Sequence, residues 1–175
     1  RRGKARVRGR AGFAVKGMEF GARLSVDRRA ALAVLGYNGA APDDATTHVL
    51  EEAARCVEEA AKPRYASTRF LIAWLPATAG GSAAGRPSIG GVALPGRDIA
   101  AHLAGCPAAV LLGVTLGAGV DAALRRAAAV DMRMAALLDA AASALCEQYA
   151  GAAQDALREQ AALRGEHLTG RYSPG

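Results

Sequence analysis

The chain has 175 residues, enough to bury a sizeable core, and 51% of them are hydrophobic while only 5% are aromatic. No run of 18 apolar residues occurs, which excludes a membrane-spanning helix, and no apolar stretch of signal-peptide length follows the basic start. The net charge of +6 is concentrated: seven of the 22 basic residues lie in the first 16 positions with no acid among them, leaving 15 basic residues against 16 acidic ones.

The first element in chain order is therefore a basic arm. Residues 1–17 are expected to be disordered, or no part of the natural start, and to be dispensable, and Met18 opens an ordinary-looking protein over 18–175. Such an arm can bind phosphate backbones by counterion release, but the near-neutral remainder argues against a nucleic-acid-binding body. Asp27 is placed to cap a short helix that Gly36 ends. "GYNGAAPDD" (36–44) is then a turn, and Asp43 and Asp44 open a helix that stops before Pro63. On that helix Leu50, Ala53, Ala54, Val57, Ala60 and Ala61 share one face. Glu51, Glu52, Arg55, Glu58 and Glu59 lie away from it, with Glu51–Arg55 and Arg55–Glu59 at helical pair spacing.

"RYASTRFLIAWL" (64–75) reads as a strand, rich in aromatic and branched side chains. The small-residue stretch 76–91 reads as a loop, followed by a second strand near Val92. Pro95-Gly96 is a turn, and a short helix over Asp98–Leu103 is closed by Gly105. "AAVLLGVTLG" (108–117) reads as a buried central strand covered on both faces. Residues 120–164 read as a long helical region, broken near Asp131 and Gly151, and 166–173 as a strand returning to the sheet. Helices, strands, helices and a strand in that order give an α+β fold, a mixed sheet packed with long helices.

Several motifs fail on chemistry. Gly80 to Gly85 has the glycine spacing of a phosphate loop, but Arg86-Pro87 stands where Lys and Ser or Thr are required. "GAGVDA" (117–122) has dinucleotide-like spacing after an apolar strand. The acid at the right distance, Asp139, lies in a helical stretch, so Gly117 and Gly119 are read as a close-approach turn. Cys56, Cys106 and Cys146 are too scattered for a disulfide framework and point to a reducing cytoplasm. With His48, His102 and His167 they form no metal-ligand spacing. Cys106 and His102 make a conceivable catalytic pair, for which structural roles are the simpler reading.

Three stretches occur in order: "VDRRAALAVLGYNG" (26–39), "GGVALPGRDIAAHLAGCPAAVLLGVTLG" (90–117) and "RYSPG" (171–175). Together with "VDMRMAALLDAAASALCEQ" (130–148) they resemble the activation, or reactivation, domain of cobalamin-dependent methionine synthase, and above all the short stand-alone activation subunits. The resemblance runs from about residue 24 to the end. It implies an S-adenosylmethionine-binding component of a methyltransferase system, located in the cytoplasm and acting in methionine biosynthesis. In that role the module docks on a partner carrying cobalamin (vitamin B12). When the cobalamin has oxidised to cob(II)alamin, an electron donor such as a flavodoxin reduces it and S-adenosylmethionine remethylates it.

The ligand motif of the family is Arg-x-x-Pro-Gly-Tyr, and Arg171, Pro174 and Gly175 match it. The sequence ends before the Tyr, so the resemblance implies a domain truncated at its C-terminus, inside the ligand turn. By this reading Arg171 forks onto the ligand carboxylate, Ser173 lies near the adenosine part, and Pro174-Gly175 fixes a tight turn. Glu147 is a candidate acidic neighbour for the sulfonium. No catalytic side chain and no metal ligand is assigned. A non-catalytic partner of another corrinoid methyltransferase is the alternative, and a nucleic-acid binder with a basic arm the more distant one.

Overall fold

The structure is a computed structural model that describes residues 18–76 and 85–173. The elements are β1 (Met18–Glu19), α1 (Arg28–Val34), α2 (Asp44–Ala60), β2 (Arg64–Leu75), β3 (Arg86–Ile89), β4 (Val92–Ala93), α3 (Arg97–His102), β5 (Ala108–Thr115), α4 (Ala118–Val130) and α5 (Met132–Ala162). The fold is α+β. β1, β2, β3 and β4 are successive antiparallel neighbours, and β5 pairs with β2. The chain divides into two compact units. Of the described residues, a sheet-rich unit holds 67–76, 85–112 and 169–173, and a helical unit holds 18–66 and 113–168.

Aspartates punctuate the helical unit. Asp27 accepts the Ala30 N–H at 3.0 Å and Asp43 accepts the Thr46 N–H at 2.6 Å, each satisfying an amide that a helix start leaves unpaired. Asp131 ends α4 in an extended conformation and caps α5 at once, accepting the N–H groups of Arg133 and Met134. The expected break at Asp131 is therefore present. The one expected at Gly151 is not: α5 runs through it from Met132 to Ala162. A lone glycine costs about 1 kcal/mol against alanine, too little to break a helix whose packing is favourable.

That packing centres on α5, against which α1, α2 and α4 all lie. Leu137, Leu138, Ala140, Ala141, Ala144 and Leu145 are buried on more than one of its faces. The small side chains let neighbouring backbones approach closely. Leu50, Ala53, Ala54 and Val57 of α2 fill the same core, as their spacing predicts. The acidic face of α2 is partnered differently from the i,i+4 expectation. Arg28 of α1 forks onto Glu51, with Nη2 at 2.9 Å from Oε2, and its Nη1 reaches Glu58 Oε1 at 2.9 Å. The same guanidinium donates to the Val26 carbonyl at 2.7 Å, and Glu58 accepts the Val26 N–H at 2.8 Å.

At the start of α4, Gly117 has φ +89° and a Cβ there would stand 3.2 Å from the Lys62 carbonyl oxygen. A Cβ on Gly119 would stand 2.6 Å from the carbonyl oxygen of Ala60. This is the close-approach turn expected from "GAGVDA": the amide end of α4 lies against the chain leaving α2.

In the sheet-rich unit, β3 and β4 form a hairpin with Ile89 opposite Val92. Its two-residue turn is Gly90-Gly91, both at positive φ (57° and 84°), as the tightest hairpin turns require. The loop expected over 76–91 is thus corrected at its C-terminal end. Arg86–Ile89 is a strand paired to β2 with Ile72 opposite Ile89 and Leu75 opposite Arg86. Residues 77–84 of that loop, including the phosphate-loop-like Gly80, lie outside the described residues, as do residues 1–17, Pro174 and Gly175.

Two further expectations are corrected. β5 is not covered on both faces: its side chains are at best half-buried, and Leu111 is 58% exposed. An apolar run of this length fits a half-open strand as well as a buried one. Residues 166–173 form no strand. Gly165 at φ +69° turns the chain off α5, and the Glu166 N–H bonds back to the Ala161 carbonyl. Beyond it, Leu168 and Tyr172 are the only large apolar residues, and Gly170 stands between them on the face they would share, so a strand here would have little side chain to lay on a sheet.

Candidate functional site

Arg171 and Ser173 lie in the C-terminal stretch of the sheet-rich unit and are exposed. An exposed guanidinium and a hydroxyl two residues away suit an anionic or hydroxylated ligand. The first offers paired N–H donors to a carboxylate, and the second offers a donor and an acceptor. Pro174 and Gly175, the other two expected ligand residues, fall outside the described residues.

Glu147 is exposed on α5, in the helical unit. The structure therefore groups Arg171 with Ser173, and leaves Glu147 on a different body. Its charge acts locally: burial first, and then the Glu147 carboxylate, push the Cys146 thiol above its ordinary value. Cys146 is thereby kept from the thiolate form that nucleophilic chemistry requires.

The sequence made His102 and Cys106 a conceivable pair, with structural roles the simpler reading for both. The structure sets the His102 ring against Tyr172, with ring centroids 5.5 Å apart and planes tilted by 39°. His102 closes the last turn of α3, and Leu103, the next residue, is buried at 8% exposure. The helix begins at Gly96, whose φ of +123° is open to glycine, and it packs against β3. The side chain between Arg171 and Ser173 thus rests on an anchored helix. Nothing in the local sequence signals this contact, because the two rings come from distant parts of the chain.

Two open clefts occupy the helical unit. One, of about 300 Å³, is floored by Leu145 and Tyr149 and rimmed by Arg23, Arg55, Glu58 and Glu59. The other, of about 780 Å³, lies between α1 and the 37–42 turn. Neither includes a residue of the sequence-predicted site. The three cysteines are free, and no cluster of three or more His, Cys, Asp or Glu side chains suited to a metal occurs among the described residues. Among the same residues, no helix is long and apolar enough to cross a membrane.

No protein-family model matches the chain, and no curated protein matches it.

Proposed function

We propose that this chain is an S-adenosylmethionine-binding activation module that supports reductive remethylation of cob(II)alamin on a cobalamin-dependent methionine synthase. The observation that carries the reading is the ordered set of sequence stretches ending in "RYSPG" at 171–175. The exposure of Arg171 and Ser173 is compatible with the ligand role given to them. Arg171 would hold the carboxylate of the methionine moiety by two parallel charge-assisted hydrogen bonds, a geometry that an ammonium cannot reproduce. Ser173, with Pro174 and Gly175, would line the adenosine side.

The bound ligand would supply a methyl group from its sulfonium to the partner's cobalt, once one electron from a flavodoxin-type donor has reduced it, leaving S-adenosylhomocysteine. The contribution of this chain is binding and presentation; the reacting metal belongs to the partner. The test is spectroscopic. A methionine synthase lacking its own activation module is held as cob(II)alamin with reductant and S-adenosylmethionine, and this chain, extended by one Tyr after Gly175, is added. The cob(II)alamin absorbance should give way to methylcobalamin only when chain, reductant and ligand are all present. A spectrum indifferent to the chain contradicts the proposal.

A further inference from the structure

The contact between His102 and Tyr172 assigns a role to a side chain that the ligand motif does not contain. Tyr172 stands between Arg171 and Ser173, and the stretch that carries all three forms neither helix nor strand. Its position is therefore not set by the hydrogen-bond ladder of a helix or strand. The Tyr172 ring lies at a centroid distance of 5.5 Å from His102, within the range of favourable aromatic pairs, and keeps 40% exposure. The imidazole is fixed in turn. His102 ends α3, Leu103 is buried beside it, and the Leu103 N–H bonds to the Ile99 carbonyl at 3.0 Å. Cys106 N–H to Leu103 O then closes the turn that leads into β5.

We infer that His102 is a positioning residue for Arg171: by its ring contact with Tyr172 it fixes where the neighbouring Arg171 guanidinium meets the ligand carboxylate. The inference rests on the S-adenosylmethionine reading above and adds to it a residue from the middle of the chain. A carboxylate fork tolerates little displacement, so a loose Arg171 would still carry charge but would meet its ligand with a larger loss of freedom.

The experiment has two arms. In the first, S-adenosylmethionine is titrated into the chain extended by one Tyr after Gly175, as wild type, His102→Ala, His102→Phe, Tyr172→Ala and Arg171→Ala. Loss of one aromatic pair corresponds to about two- to tenfold weaker binding. His102→Ala and Tyr172→Ala should each show that loss, and His102→Phe, which keeps a ring but no titratable nitrogen, should restore wild-type affinity. In the second arm, proton NMR of the unliganded 175-residue chain follows the His102 ring protons, whose ring-current displacement should vanish in Tyr172→Ala.

If Arg171→Ala abolishes binding while His102→Ala binds as wild type, the positioning role is overturned and the ligand reading stands. If the wild type binds nothing, both fall as statements about this ligand. His102 protons indifferent to Tyr172 overturn the contact itself. Circular dichroism on each variant separates lost folding from lost positioning, and failure of His102→Phe to rescue a folded His102→Ala defect also counts against stacking.

Discussion

Arg28 is the residue on which the first two helices turn. It bonds Glu51, Glu58 and the Val26 carbonyl together, and Val26 is itself 3% exposed. Arg28→Ala should lower stability by about 1–2 kcal/mol, more than a typical surface pair, because a backbone carbonyl and two carboxylates lose their donor together. The pair also sets an acid dependence. The hydrogen bond from Arg28 holds the Glu51 carboxyl below its ordinary value of 4.5. A carboxyl depressed by folding stabilises the protein above its unfolded value and loses that contribution as the pH falls through the folded one. Urea melts at pH 7 and pH 3 should therefore show a smaller pH difference for Arg28→Ala than for wild type. An equal difference would mean that the pair contributes nothing. The Arg28 partnership was not legible in the sequence, which offered Arg55 at helical spacing; Arg28 comes from another helix, and its angle of approach is set by packing on α5. Arg171 is proposed only through a motif, and the contact of His102 with Tyr172 had no local signal in the sequence.

Helix boundaries were the most readable elements because the chemistry that sets them is local. Asp27, Asp43 and Asp131 announce their helices by side chains that reach only two or three residues ahead. β2 was readable to its ends, since its aromatic and branched run sits between Pro63 and Pro76. β3 was hidden by the glycines around it, although Gly90-Gly91 carried the hairpin signal. β1, two residues paired with Arg64 and Tyr65, depends on a partner far along the chain. Glycines give the sharpest test at this scale. A Cβ on Gly151 meets nothing within 4 Å and the residue is helical, so Gly151→Ala should stabilise by about 0.5–1 kcal/mol. A Cβ on Gly119 would stand 2.6 Å from the Ala60 carbonyl oxygen, so Gly119→Ala should destabilise by about 1–3 kcal/mol. Thermal melts of the two variants should move in opposite directions, and a shared direction would contradict the packing described for α4 or α5.

At the scale of the molecule, the basic charge is gathered at one end. The basic residues gathered in the first 16 positions leave a remainder with 15 basic against 16 acidic residues. Removing residues 1–17 should leave the melting temperature nearly unchanged and should abolish any salt-sensitive affinity for nucleic acid. A large fall in melting temperature would show that the arm contributes to the fold. The proposed function rests instead on the opposite end, where "RYSPG" resembles a family ligand motif and the described stretch presents Arg171 and Ser173 to solvent. The most direct measurement is calorimetric titration of S-adenosylmethionine into the chain extended by one Tyr after Gly175, as wild type, Arg171→Ala and Arg171→Lys. The account predicts binding by the wild type, a loss of roughly 1.5–3 kcal/mol in Arg171→Ala, equivalent to about ten- to hundredfold, and partial recovery in Arg171→Lys. Equal affinities across the three, or no binding by the wild type, would contradict it.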